Sequence, residues 1–208
     1  MTSDPEIIVP PAESVADKET DGRRQRSERS RDQIIEAVLK LISEGDFAPS
    51  AARVAQRARV GLRTVFRHFE DMDSLYRGMT ERVEARVMPK VVAPYAGTTW
   101  QAVLREHVSR RAEVFEEIFP YRIAANLRRF HSRFLMEDYH KNTALESATL
   151  SSILPSVIRT DAMLFAALEL LLGFQSWRRL RQDQGFSAAQ AEAVIQQAVE
   201  KLVRDVSV

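Results

Sequence analysis

At 208 residues with 45% hydrophobic side chains, the chain can build one sizeable core or two modest ones. Its formal net charge of +1 selects no partner, and the absence of cysteine excludes disulfides, thiolate metal sites and cysteine nucleophiles. No apolar run approaches the roughly 18 residues of a membrane span, and the acidic start lacks the basic-then-apolar order of a signal peptide, so the expectation is a cytoplasmic protein with no membrane partner.

Residues 1–22 carry Pro5, Pro10 and Pro11 among acids, with no apolar period, and are expected to form a disordered acidic tail. From Arg23 to Phe69 the balance reverses. Arg23, Arg24, Arg26, Arg29, Arg31, Lys40, Arg53, Arg57, Arg59, Arg63 and Arg67 outweigh the acids there by about six charges. A first helix is predicted over 28–44, with Ser30 and Gln33 at capping-box spacing. Its buried stripe runs through Ile34, Ile35, Val38, Leu39, Leu41 and Ile42, and Gly45 ends it. A short helix follows, N-capped by Ser50 and carrying Ala51, Val54, Ala55 and Ala58 inward. After a tight break over 59–61 comes a second short helix, 62–69. Asp71 caps a longer helix that ends before Pro89, and residues 91–99 read as a linker. Helices are then predicted over 100–118, 121–134, 135–154, 161–184 and 187–205, with breaks at Pro120, Pro155 and Gly185. The fold class is therefore all-α. An N-terminal three-helix domain with its connecting helix (23–88) precedes a C-terminal helical domain (89–208).

Two short helices joined by a tight turn support each other only if small side chains stand where they cross. Ala55 supplies the small residue and Val65 fills the space between, which is the helix-turn-helix arrangement. The second helix then projects Arg63, Thr64, Arg67 and His68, a set suited to guanine edges, thymine methyls and phosphates in a major groove. Arg24 and Arg26, in the basic run before the first helix, form either a minor-groove arm or an ordinary charged linker.

Ser50, Val54-Ala55, Ala58-Arg59-Val60-Gly61, Thr64-Val65-Phe66-Arg67-His68-Phe69 and Leu75 together resemble the DNA-binding domain of the TetR (tetracycline repressor-like) family. The resemblance implies DNA-backbone contacts at Ser50, Thr64, Phe66 and His68 and base contacts at Arg63 and Arg67. It also implies a homodimer on operator double-stranded DNA, usually a repressor, whose C-terminal domain binds a small-molecule effector. The chain departs from the family at three places. Arg59 stands where Gly is usual, with Gly61 nearby to relieve the turn; Phe66 replaces Tyr; Met72 replaces a common Lys.

In the C-terminal domain, Trp100, Phe115, Phe119, Tyr121, Phe130, Phe134, Tyr139, Met163 and Phe165 are candidates to line an effector pocket. Their aromatic bias, with no evident charge cluster, suggests a largely apolar ligand. Leu164, Leu168 and Leu171 on one predicted helix and Val194, Ala198 and Leu202 on the next are candidates for the dimer face, a four-helix bundle across a two-fold axis. An enzyme is the competing class. Glu137 and His140 form a single Glu-x-x-His pair where a di-metal carboxylate site needs two, and no phosphate loop or nucleophile elbow appears. No catalytic residue, metal or cofactor is therefore expected. The remaining alternative is a helical ligand- or partner-binding protein without DNA activity.

Overall fold

The computed structural model describes residues 15–206, with side chains from residue 24 onward. Among these residues the chain is all-helical. Helices α1 (Val15–Ser43), α2 (Ala51–Ala58), α3 (Leu62–His68) and the first half of α4 (Met72–Val91) build a head. Helices α5 (Trp100–Arg128), α6 (Arg133–Ile153), α7 (Ser156–Thr160), α8 (Ala162–Leu172), α9 (Phe174–Arg178) and α10 (Ala188–Val203) build a body.

The stripe predicted on α1 is the heart of the head: Ile34, Ile35, Val38, Leu39, Leu41 and Ile42 are all buried, against Val54, Ala55, Val65, Phe69, Leu75 and Met79. Gly45 takes the positive φ of 96° that ends the helix. The start of α1 differs from the expectation. Residues 15–22 of the expected tail continue α1, while residues 1–14 lie outside the described residues. Ser30 therefore sits inside a helix, and its hydroxyl donates to the Arg26 carbonyl at 3.0 Å instead of capping.

Proline and glycine depart from the predicted breaks at three points. Pro89 and Pro120 both lie inside helices, α4 and α5. A proline removes one ladder bond and crowds the preceding turn. At Pro120 the burial of Phe115, Ile123 and Ala124 on either side holds the helix together. Conversely, the helix predicted over 161–184 is interrupted at Gly173. There α8 gives way to α9 and then to a π turn, Arg179–Asp183. Arg111, buried in the body, donates to the Leu172 carbonyl at 2.8 Å and so satisfies the end that α8 leaves open.

The two units are not independent. Ala124 of α5 is buried in the head core, and Tyr121 packs against it. Helix α4 is tied to its neighbours along its whole length. Asp73 accepts from Ser132 Oγ at 2.6 Å and from the Phe134 amide at 3.3 Å; Arg82 pairs with Asp32, Lys141 with Glu84 and Lys90 with Glu117, each at 2.7 Å. The body core is aromatic. Phe115 meets Phe174 edge-to-face at 5.5 Å, and Trp177 donates its indole N–H to Glu116 at 2.9 Å.

Two consequences for stability follow. The α2–α3 turn is made by Arg59 itself, at φ 55° and ψ 39°, whereas Gly61 has an ordinary φ of −68° and relieves nothing. Arg59→Gly should therefore raise stability by about 0.5–1 kcal/mol, since glycine enters the left-handed region without a Cβ clash. An unchanged urea midpoint would contradict this. His107 is 3% exposed, and burial, aided by the charges of Arg111 and Arg110, lowers its pKa from 6.5 to about 3. Between those pH values the unfolded chain binds a proton that the native chain refuses. Stability should fall as pH drops through that window, by about 2 kcal/mol at pH 5 from this residue alone. Urea titrations of the parent and of His107→Gln at pH 7.5 and pH 5 should show the smaller drop in the variant; equal drops would remove His107 as the cause.

Candidate nucleic-acid interface and the cavity behind it

The head presents one helix to solvent by a chain of local causes. Ser50 caps α2 by accepting from the Arg53 amide at 3.3 Å. The Val60 amide returns to the Ala55 carbonyl at 3.0 Å, turning the chain at once into α3. Ala55 and Val65 are both buried where the two helices cross. Asp71 then starts α4 with a capping box to Ser74. With Val65 and Phe69 turned inward, Leu62, Arg63, Phe66 and Arg67 are left exposed, Phe66 at 57%.

The electrostatics of this face depend on which arginines are already occupied. Arg57 pairs with Glu44, and Arg53 with Asp46 at 3.2 Å, so both belong to the junction of α1 and α2. Arg59, Arg63 and Arg67, spaced four residues apart, make no ion pair with any described residue. They leave an uncompensated cationic stripe along α3 and the turn before it. In the sequence, Arg63 and Arg67 stand out as projecting residues, and Arg59 only as a departure from glycine. Its exposed place in the turn that leads into α3, with no ion pair among the described residues, adds Arg59 to the set.

The remaining residues expected at the interface fall in different places. Thr64 is half-buried on the α3 flank, and Ser50 is exposed at the cap. His68 is half-buried rather than projecting. Burial, then Arg67 and Arg31, lowers its pKa, and its Nε2 is buried with no partner among the described residues. Arg24 and Arg26 stand on an unbroken helix, not on an extended arm, and Arg24 pairs with Glu28 at 3.1 Å. Met72, at 37% exposure, leaves α4 without a cation at that point.

Behind the head lie two adjoining cavities with α4 as their common wall. One, partly open to solvent, lies between head and body against Val38, Ile42, Leu75, Met79, Tyr121 and Leu135. The other, also partly open, lies within the body against Met88, Val91, Tyr95, His107, Arg110, Arg111, Phe115 and Glu146. Glu84, Val87, Ile118, Arg122 and Asn142 border both. Of the aromatic residues expected around a pocket, Phe115 lines the body cavity and Tyr121 the one toward the head, while Tyr139 is half-buried 3.8 Å from the Arg129 guanidinium. Trp100, Phe119 and Phe165 pack against the body core. Phe134 is half-buried 4.5 Å from the Arg77 guanidinium, and Phe130 and Met163 are exposed at 71% and 84%. The expectation of a pocket without charge is likewise corrected. Arg110, Arg111, Arg122, Glu84 and Glu146 all face the body cavity, and burial raises the pKa of Glu146 although Arg122 lies 3.0 Å away.

Among the described residues, no group of three or more His, Asp or Glu side chains converges to hold a metal, and no helix is long and apolar enough to cross a membrane. Glu137 pairs with Arg133 at 2.8 Å, and His140 stacks edge-on against Tyr139, so the two residues of the Glu-x-x-His pair turn to different partners.

No family model and no curated protein matches the sequence. Two solved structures are similar in fold. A transcriptional regulator from Rhodococcus sp. Rha1 superposes with a TM-score of 0.66 at 17% identity, over 88% of this chain and 99% of the other. A protein from Mesorhizobium loti MAFF303099, provisionally assigned to the TetR family of transcriptional regulators, superposes with a TM-score of 0.58 at 19% identity over the same shares. The chain therefore has the all-helical fold of these regulators, with a helix-turn-helix head on a helical body.

Proposed function

We propose that this protein is a homodimeric, cytoplasmic transcription regulator of the TetR type. It is a repressor that binds operator double-stranded DNA through α3 and leaves it when a small molecule occupies the cavities along α4. The observation that carries this reading is the unpaired stripe of Arg59, Arg63 and Arg67 on the exposed side of a helix-turn-helix. One helix earlier, by contrast, Arg53 and Arg57 are each paired with an acid. Charges left without acids beside them are suited to phosphates and guanine edges.

The exposed apolar residues of α8 and α10 support a two-fold partner. Met163 and Leu170 are exposed at 84% and 71%, and Val194 and Leu202 at 40% each. Leu164, Leu171 and Ala198 are half-buried at the edge of this face. Leu168, expected there, is 0% exposed and belongs to its own subunit's core. Two copies meeting on these helices form a four-helix bundle. To read a two-fold operator, that assembly must set its two α3 helices about one DNA turn apart.

Replacing Arg63 and Arg67 together by Ala should weaken operator binding by roughly 1–3 kcal/mol for each base-reading guanidinium removed. Arg59→Gly should weaken binding to every sequence alike and lower the salt slope by about one. Operator affinity unchanged in the double variant, read by titration at several salt concentrations, would end the α3 assignment.

For the dimer, Leu170→Arg with Leu202→Arg changes residues exposed in the single chain. The variant should fold with the same helicity yet sediment as a monomer. Leu168→Arg should instead unfold the chain, because it buries an unpaired charge. A dimeric double-arginine variant would put the interface elsewhere.

A further inference from the structure

The cavity between head and body is lined mostly by uncharged side chains. Ile42, Leu75 and Met79 are among its apolar walls, and Tyr76 of α4 and Tyr121 of α5, both half-buried, border it as well. Three charged residues reach it: Glu84, Arg122 and Asp138. Two of these are already committed. Glu84 pairs with Lys141 at 2.7 Å, and Arg122 pairs with Glu146 at 3.0 Å. Asp138, on α6, forms no ion pair with any described residue. The five charges leave one negative charge over, and it is the one without a partner.

That charge is held in an unfavourable place. Burial, ahead of every neighbouring charge, raises the pKa of the Asp138 carboxyl; Glu84 adds to the shift, and Arg122 and Lys141 oppose it. Asp138 is nevertheless only half-buried, and neither of its oxygens is sealed off from solvent. The chemistry of an occupant follows. An anion would be repelled. A neutral apolar molecule would cover the walls but strip water from the carboxylate without replacing it. A cation with an apolar body satisfies both parts of the lining. Reduced hydration strengthens its attraction to the carboxylate, and tyrosine rings attract a cation that lies over their faces.

We propose that the head–body cavity takes a lipophilic monocation, an ammonium carrying an apolar group, with its charge against the Asp138 carboxylate and its apolar part against α4. This deepens the effector reading above and rests on it only for its consequence; binding itself requires no DNA. Such an occupant touches head residues Ile42 and Leu75 and, through Asp138, the body. It therefore bears on the angle at which the head that carries α3 sits on the body.

The test uses the full chain and three probes with the same alkyl chain: octyltrimethylammonium, 1-octanol and octanoate. Calorimetry should show octyltrimethylammonium binding at least tenfold more tightly than either of the others. Asp138→Asn keeps the side-chain shape and removes the charge. It should lower affinity for the ammonium about tenfold and leave that for 1-octanol unchanged. Glu137→Gln removes the neighbouring acid, which pairs with Arg133 and does not border the cavity; affinity should stay at the parent value. The selectivity of the parent chain among the three probes decides the matter even where a variant fails to fold.

No binding of the ammonium, equal or tighter binding of 1-octanol or octanoate, full affinity in Asp138→Asn, or an equal loss in Glu137→Gln would overturn the proposal. An operator titration run beside these separates the two readings. Ammonium binding with the expected selectivity but no DNA binding would end the regulator reading alone, and DNA binding without ammonium binding would end this one.

Discussion

The packing of α4 against α5 is the constraint on which the rest depends. The head cannot close its own core, because α1 to α3 leave a gap that Ala124 of α5 fills and Tyr121 covers. Helix α4 contributes Leu75 and Met79 to that core at one end and Val87 to the cavity border at the other. Pinned at its start by Asp73, in the middle by Glu84 and near its end by Lys90, it cannot tilt without disturbing both units. Exposed pairs such as Lys141–Glu84 contribute little to stability singly. Their effect here is geometric: they select one orientation of a helix whose apolar burial supplies most of the energy.

What is legible in the sequence depends on whether local periodicity or tertiary packing decides the outcome. The α1 stripe, the Ser50 and Asp71 caps, Gly45 and the Ala55–Val65 crossing are local, and a 3.6-residue period or a cap preference suffices to find them. The prolines are not legible in this way, because their effect on a helix depends on what flanks them. Pro120 sits between buried residues that hold α5 together, and no sequence window reveals that burial. Gly173 ends α8 without a positive φ, so the usual glycine signal does not apply.

The pocket residues escape a reading of the sequence for a related reason. Large aromatics do not mark empty space, because they fill space efficiently. Phe119, Phe165 and Trp100 pack on the core formed around Phe115, Phe174 and Trp177. Empty space arises where α4 presents aliphatic residues to α5 and α6, and where arginines and glutamates hold helices apart by pairing across the gap. His107 and Arg111 resemble ordinary helix-surface residues in the sequence because both lie on a 29-residue helix rich in charge; only the packing shows that they face inward.

The arrangement also explains why paired and unpaired arginines are segregated. Glu44 and Asp46 stand just after α1, where they neutralise Arg57 and Arg53 and fasten α2 to α1. Beyond α2, Arg59, Arg63 and Arg67 form no ion pair with any described residue, although Glu70 and Asp71 follow α3 directly. An acid paired with one of them would stabilise the free protein by less than about 1 kcal/mol at an exposed site. It would also have to be displaced, and its repulsion overcome, whenever a phosphate approached. The strained left-handed Arg59 fits the same logic. Glycine would relax the turn but remove one of the three charges. On the proposed DNA-binding reading, the chain keeps the strain and the guanidinium together because the binding surface uses the charge.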